Sequence, residues 1–530
     1  MYMKSFLPKL KLWLFFLLIL SYQPGYSQSI PAGKDTVRSL TILYTNDMHA
    51  HFEPIEVSAI SKTRKIGGFA NIASIVKTNK KSNPNTLYLD AGDYFTGPKF
   101  SSLTKGEAVI DVLNHMSIDA ACIGNHEFDH GWLNLIEQLK KAEFPVLNGN
   151  IFYSGSERLF WNYPYTILVK NGIRIGVIGL HGKFAFYNTI AEVMIRGVEA
   201  RDEEVYLRKY VEDLKDKADL IVLLVHEGIP GRQSSVGITD VARNLQKDIE
   251  LAQRVPGVDI IITGHAHQGT PQPLVSNGTI IVSTDALGME VGKLDIQYDP
   301  VKDKITKYTH ALNYVFDDEI EDDAETKQAI EKWKNKLSEI SDQKICTISE
   351  PLTRSDSEES LMGNMVADAM LQAYPDNDLA LTNSGGLRED ITGPAVTIGN
   401  LISASPFPNT AVLLEMKGKD IRELFEHAAG LTNGVLQVSE SVEIHYNDSL
   451  QAGNRLILCK IKNKNIEDEK IYKVVTSNFL ADGGDGFLSF KRAISKKDTH
   501  VEILHTMIQY LKPFDVYKPR LYGRIVKVNP

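Results

Sequence analysis

In "YTNDMHAHFEP" an apolar run, "SLTIL", gives way to Asp47, His49 and His51, one carboxylate and two imidazoles within five residues. Other apolar runs end in the same way. They are followed by Gly92-Asp93, by Gly124-Asn125-His126-Glu127 with Asp129 close behind, and by the histidines of "LVHEG" (His226) and "GHAH" (His265, His267). Asp, Asn and His are the oxygen and nitrogen donors that hold zinc, manganese or iron-type divalent ions. Taken singly, each has a plainer explanation. A lone histidine is commonly satisfied within a core, an Asp at a strand end caps the next helix, and "GNHE" makes a turn. Gathered at the ends of apolar strands in one domain, they point to a metal site.

The elements that must position these residues are legible as alternating β-type and helical patterns from Ser39 to about Asp299. The strands are "LTILYTN", "TLYLDAGD", "AACIGNHE", "PVLNGN", "IRIGVIGL", "LIVLLVHEG", "DIIITGHAH" and "TIIVSTD". This is the pattern of an α/β domain whose polar residues collect at the C-terminal ends of its strands, where such sheets bind ligands. The segment "FDDEIEDDAETKQAIEKWKNKLSEI" is acidic first and basic later, which suits a helix dipole. Ile330, Trp333 and Leu337 give it one apolar face, so it reads as a helical connector. A second α/β region follows, with a helix over "SLMGNMVADAMLQAY", strands in "LALTNSG" and "KIYKVVTSNF", and a Gly-rich loop "ADGGDGF". The expected division is a signal peptide at 1–27, a first domain at 36–315, a connector at 316–343 and a second domain at 344–530.

The leader rests on Lys4, Lys9 and Lys11 before the apolar run Leu12 to Leu20, with small residues at Gly25 and Ser27. That run is short for a bilayer span and suits a removed secretory signal. Export to a periplasm or the medium is expected, without a stable membrane anchor. Loss of the three leader lysines takes the net charge from −9 to −12, which argues against a nucleic acid polymer as ligand and leaves room for a small phosphorylated one. Of three cysteines, Cys122 reads as buried, whereas spacing leaves open whether Cys346 and Cys459 pair.

Asp47-x-His49, then Gly92-Asp93, then GNHE with Asp129 behind it, then the VH and GHxH histidines, resembles the ordered signature of the calcineurin-like metallophosphoesterases. The wording of "LYTNDMHAHFEP", "GDYFTG" and "GNHEFDHG" resembles the secreted 5′-nucleotidase and UDP-sugar hydrolase branch. That likeness continues through "TNSGGLR", "PFPNT" and "NFLADGGDGF", across nearly the whole chain after the leader. The resemblance implies an α/β/β/α sandwich with a dinuclear metal site, joined to a smaller C-terminal α/β substrate-binding domain.

It also implies roles. Asp93 matches the bridging carboxylate between two divalent ions, zinc or manganese first, with magnesium, cobalt or iron as alternatives. Asp47, His49 and His267 complete one site, and Asn125, His226 and His265 the other. Ions about 3.5–4 Å apart activate a water and neutralise phosphoryl oxygens during in-line displacement. His126 is placed to meet the phosphate and Asp129 to orient it, while His51 and Glu53 receive no assignment.

Asn383 and Arg388 match nucleotide-contacting positions, and Phe479 and Asp485 match residues that stack on the base and hold the ribose hydroxyls. Three departures stand out. His267 occupies a position where nucleotidases often carry an amide, Ala411 one where a second base-stacking ring is usual, and Glu358 and Glu359 one where some members have an arginine. Phe407 is the nearest aromatic substitute for the missing ring. The implied activity is hydrolysis of nucleoside 5′-monophosphates to nucleoside and phosphate. Alternatives are UDP-sugar, 2′,3′-cyclic nucleotide or thiosulfonate ester hydrolysis on the same metals, or a nucleotide-binding surface protein with an idle metal site.

Overall fold

A run such as "LIVLLVHE" (Leu220–Glu227) is buried along its whole length, as a strand covered on both faces must be. The computed structural model, which describes residues 36–161, 163–229, 241–431 and 434–528, assembles such runs into two six-stranded sheets. The expected signal peptide, 1–27, lies outside the described residues. In the first sheet the strands lie in the order Lys304–Tyr314, Glu290–Asp299, Arg38–Thr45, Thr86–Asp90, Ala120–Cys122, Val146–Leu147. The second runs Leu274–Ser276, Thr279–Val282, Ile260–His265, Leu220–Glu227, Ile173–His181, Tyr165–Lys170.

Side-chain alternation along these strands makes the layers. Ile42, Leu89 and Cys122 of the first sheet share a buried layer with Val177, Leu224 and Ile262 of the second. Their neighbours Leu43, Tyr88 and Ala121 turn outward to helices on one side, and Ile178, Leu223 and Ile261 to helices on the other. The result is the α/β/β/α sandwich. Four neighbouring strands in each sheet are parallel, so their C-terminal ends emerge along one edge.

The connector forms a helix, Ala324–Ser341, capped by the Asp323 side chain. Ile330, Trp333 and Leu337 are buried in the outer core of the first sheet's helices. The later, basic part of the segment lies before the helix's last turn, which carries no basic residue. Mid-helix Lys332 and Lys334 instead reach Asp111 (2.9 Å) and Glu53 (2.6 Å), pinning the helix to the sandwich.

Beyond it, a five-stranded sheet runs Leu436–Val438, Leu379–Asn383, Ile471–Ser477, Thr410–Lys417, Ser495–Glu502. Leu361–Ala373 packs on one face and Gly418–Ala428 on the other, and Ser360 caps the former by accepting from Gly363 N–H. Hydrogen bonds that tie this part to the first include Lys99 N–H to Ser403 Oγ (3.0 Å) and Ser102 Oγ–H to the Pro406 carbonyl (2.9 Å). All three cysteines are free and buried, with Cys346 and Cys459 in separate cores.

Candidate active site

The strand ends converge. Asp47 and His49 leave Arg38–Thr45, Asp93 follows Thr86–Asp90, and Asn125 and His126 follow Ala120–Cys122. From the second sheet come His226, within its strand, and His265 and His267 at the end of Ile260–His265. Asp47 (φ 52°), His49 (46°), Asp93 (58°), His265 (75°) and His267 (51°) all occupy the left-handed region. Backbone strain of this kind survives only where surroundings impose it, and it clusters at functional sites.

Three overlapping donor groups result among the described residues: Asp47 with His49 and His267, Asp93 with His226 and His265, and His49 with Asp93 and His126 between them. Asn125 Oδ1 stands 2.8 Å from His265 Nδ1 and 3.1 Å from His226 Nε2, which places it with the Asp93, His226 and His265 group. Main-chain carbonyls fix two of the rings. His49 Nδ1–H donates to Thr96 (3.0 Å) and His226 Nδ1–H to Ala91 (2.8 Å), turning both Nε2 atoms into the site.

Those atoms meet other acceptors. His49 Nε2 faces His267 Nε2 at 2.9 Å, His226 Nε2 stands 3.0 Å from Asp93 Oδ2, His265 Nε2 is buried without a hydrogen-bond partner, and Asp47 is fully buried. Burial keeps His49 and His265 well below the ordinary imidazole range, and burial with the nearby Arg388 charge takes His267 down to about 3. Imidazole nitrogens, carboxylates and an amide oxygen converging in a buried centre form a donor set that divalent cations satisfy. The residues fit two divalent ions.

His126 Nδ1–H donates to Asp129 Oδ2 at 2.7 Å, and its Nε2 accepts from Arg388 Nη2 of the second α/β region at 2.9 Å. One cavity is lined by Asp93, Asn125, His126, Asp129, His265, His267, Asn383, Arg388, Phe407, Phe479 and Asp485. Asn383 Nδ2 donates to Asp485 Oδ2 (2.9 Å). Burial raises Asp485 to about 6, against the lowering effect of Asn383 and Arg388. The Phe407 ring lies 5.6 Å from that of His126 and 5.3 Å from the Arg388 guanidinium. Ala411 is wholly buried in its strand, away from the cavity wall.

Several residues escaped the sequence reading. Glu127, quoted within "GNHE" without a role, accepts from the main-chain N–H groups of Asp93, Phe95 and Gly124, locking two ligand loops together. Asn46 accepts from Thr284 N–H and donates to Asp47 Oδ2. Thr189 and Met194 also line the cavity, with no local pattern to mark them, as does Asn409, which lies within "PFPNT" but received no role. Glu359, noted only as a departure, accepts from the N–H groups of Tyr522, Gly523 and Arg524. His51 donates to the His49 carbonyl and stands 3.5 Å from Glu389, while Glu53 belongs to the connector contact.

Comparison with known proteins agrees with this geometry. The family model described as calcineurin-like phosphoesterase matches residues 40–269, and the 5′-nucleotidase C-terminal domain matches 342–492. The chain carries a calcineurin-like phosphoesterase domain and a 5′-nucleotidase C-terminal domain. It is similar to the 5′-nucleotidase of Rattus norvegicus, 28% identical over 92% of this chain and 90% of that one. Snake venom 5′-nucleotidase from Naja atra is also 28% identical, over 92% of this chain and 98% of the relative. Among solved structures, the 5′-nucleotidase precursor from Thermus thermophilus superimposes with a TM-score of 0.80 at 28% identity, covering 93% of this chain and all of that one. The protein is a metal-dependent phosphoesterase of two α/β domains.

Proposed function

We propose that the protein is an exported 5′-nucleotidase that hydrolyses nucleoside 5′-monophosphates to nucleoside and phosphate. The observation that carries this reading is the single cavity in which Asp93, Asn125, His265 and His267 meet Phe479 and Asp485, with Arg388 against His126. Asp47, His49 and His267 would hold one divalent ion, Asn125, His226 and His265 the other, and Asp93 would bridge them. Two ions so held supply charge neutralisation of the phosphoryl oxygens and activation of water.

The remaining work falls to the chain. Asp129 holds His126 with Nδ1 protonated, so that Nε2 faces the phosphoryl group and handles a proton at the leaving oxygen. Arg388 presents a planar fork to the phosphate, Phe479 stacks on the base, and Asp485 with Asn383 receives the ribose hydroxyls. Export is supported by the charged and apolar leader and by the venom origin of one relative. No helix among the described residues is long and apolar enough to cross a membrane.

The test is phosphate release by protein lacking residues 1–27, charged with Zn²⁺ or Mn²⁺. Substrates are AMP, UMP, UDP-glucose, 2′,3′-cyclic AMP and p-nitrophenyl phosphate. AMP and UMP should be turned over fastest. Asn125→Ala should abolish every activity, and Phe479→Ala should impair nucleotides alone by about tenfold or more. Turnover of the generic ester alone, or preference for UDP-glucose or the cyclic ester, would overturn the 5′-monophosphate assignment.

A further inference from the structure

The Gly-rich loop that carries Asp485 cannot hold its own shape. Asp485 sits at φ 53°, between Gly483 (85°) and Gly486 (77°), a conformation that a non-glycine residue adopts only under outside constraint. The Phe479 ring supports one side: a Cβ on Gly484 would lie 2.4 Å from it. On the other side the support is His427, in the last turn of Gly418–Ala428.

His427 Nε2 lies 3.0 Å from the main-chain carbonyl of Asp485. A carbonyl only accepts, so this nitrogen carries the proton. The imidazole stands edge-on to Phe487, with centroids 4.8 Å apart and planes at 87°, and a Cβ on Gly486 would come within 3.2 Å of the ring. The ring is therefore wedged against the loop backbone. It does not line the substrate cavity; it borders a separate open depression with Glu423, Gly430 and Arg492.

We infer that His427 is a positioning residue that reads out as ribose affinity: its Nε2–H holds the Asp485 carbonyl, and thereby aims the Asp485 carboxylate at the sugar hydroxyls. The inference rests on the nucleotide reading above. The helix end at 427 and the loop at 483–487 then act as one unit, with the ring as the contact between them.

The experiment measures kcat and KM for AMP, 2′,3′-dideoxy-AMP and p-nitrophenyl phosphate with His427→Ala, His427→Gln and His427→Asn. Loss of the hydrogen bond should raise the AMP KM about tenfold in His427→Ala with kcat little changed. The penalty should vanish for the dideoxy substrate and for the ester without ribose. Gln, whose amide nitrogen reaches the place of Nε2, should recover most of the affinity, and the shorter Asn should not. The Gln against Asn comparison stands even where the Ala variant does not fold. An unchanged AMP KM in the Ala variant, equal losses on all three substrates, or no difference between Gln and Asn overturns the inference. Absence of AMP turnover by the unsubstituted protein instead overturns the nucleotide reading, before any variant is made.

Discussion

Asp485 is the residue whose protonation state should be visible in kinetics. Burial lifts its carboxyl from the ordinary value near 3.8 to about 6, so the form that accepts hydroxyl groups is complete above that value and is lost as pH falls through it. The KM for AMP, taken relative to that for p-nitrophenyl phosphate, should therefore rise below pH 6. Asp485→Asn, which cannot ionise, should give a high and flat ratio. A wild-type ratio that stays level between pH 7.5 and 5 would sink the assignment of Asp485 to the ribose. The residue types at this end of the site could be read from "NFLADGGDGF", but the shift could not. It comes from burial of the carboxyl in the folded chain, and Asn383 and Arg388, about 100 positions earlier, only partly offset it.

At the scale of elements, the ends of parallel strands do the positioning, and their loops are held by other loops. Glu127 satisfies three buried main-chain donors across two strand ends. Glu127→Ala leaves all three without an acceptor, at a cost of roughly 3 kcal/mol, and thermal unfolding should show a lower midpoint together with weaker metal retention. The left-handed ligand positions make a related prediction. Chelation would leave these carboxylates and imidazoles crowded together without a cation, so the unfolding midpoint should fall and recover on adding Zn²⁺ or Mn²⁺. A ligand at a thousand times its Kd contributes about 4 kcal/mol. No change on chelation would contradict a resident metal centre.

The strands themselves were plain in the sequence, because each is an apolar run cut off by Asp, Asn, Gly or His. The left-handed turns were not. Glycine marks such turns, and here aspartate and histidine occupy them. The hairpin from Glu290 to Tyr314 was also missed: its outer strand, "KITKYTHALNY", is largely exposed, and the alternation that signals a half-buried strand is faint there. The connector showed its apolar face correctly, but its lysines proved to answer acids on the sandwich rather than the helix dipole.

For the molecule as a whole, the contact that matters most crosses between the two parts: Arg388 Nη2 on His126 Nε2. With the phosphoryl group placed at this junction, as proposed, Arg388→Ala should lower kcat/KM for nucleotides and for p-nitrophenyl phosphate alike, by about 10²-fold. Phe479→Ala should separate the two substrates. An Arg388 variant that lost only nucleotide turnover would move this side chain from the phosphate to the nucleoside.

The two short hydrogen bonds beside that junction, from Lys99 to Ser403 and from Ser102 to the Pro406 carbonyl, carry a consequence for breeding new enzymes from this one. Every residue proposed to recognise the nucleoside lies within 383–485, and the metal-binding residues all precede it. A graft exchanging the second domain for that of a relative would thus transplant substrate preference as a cassette, onto an unaltered hydrolytic chassis. The seam to preserve in such a hybrid is short: an arginine opposite His126, a hydroxyl opposite the Lys99 amide, and a carbonyl within reach of Ser102.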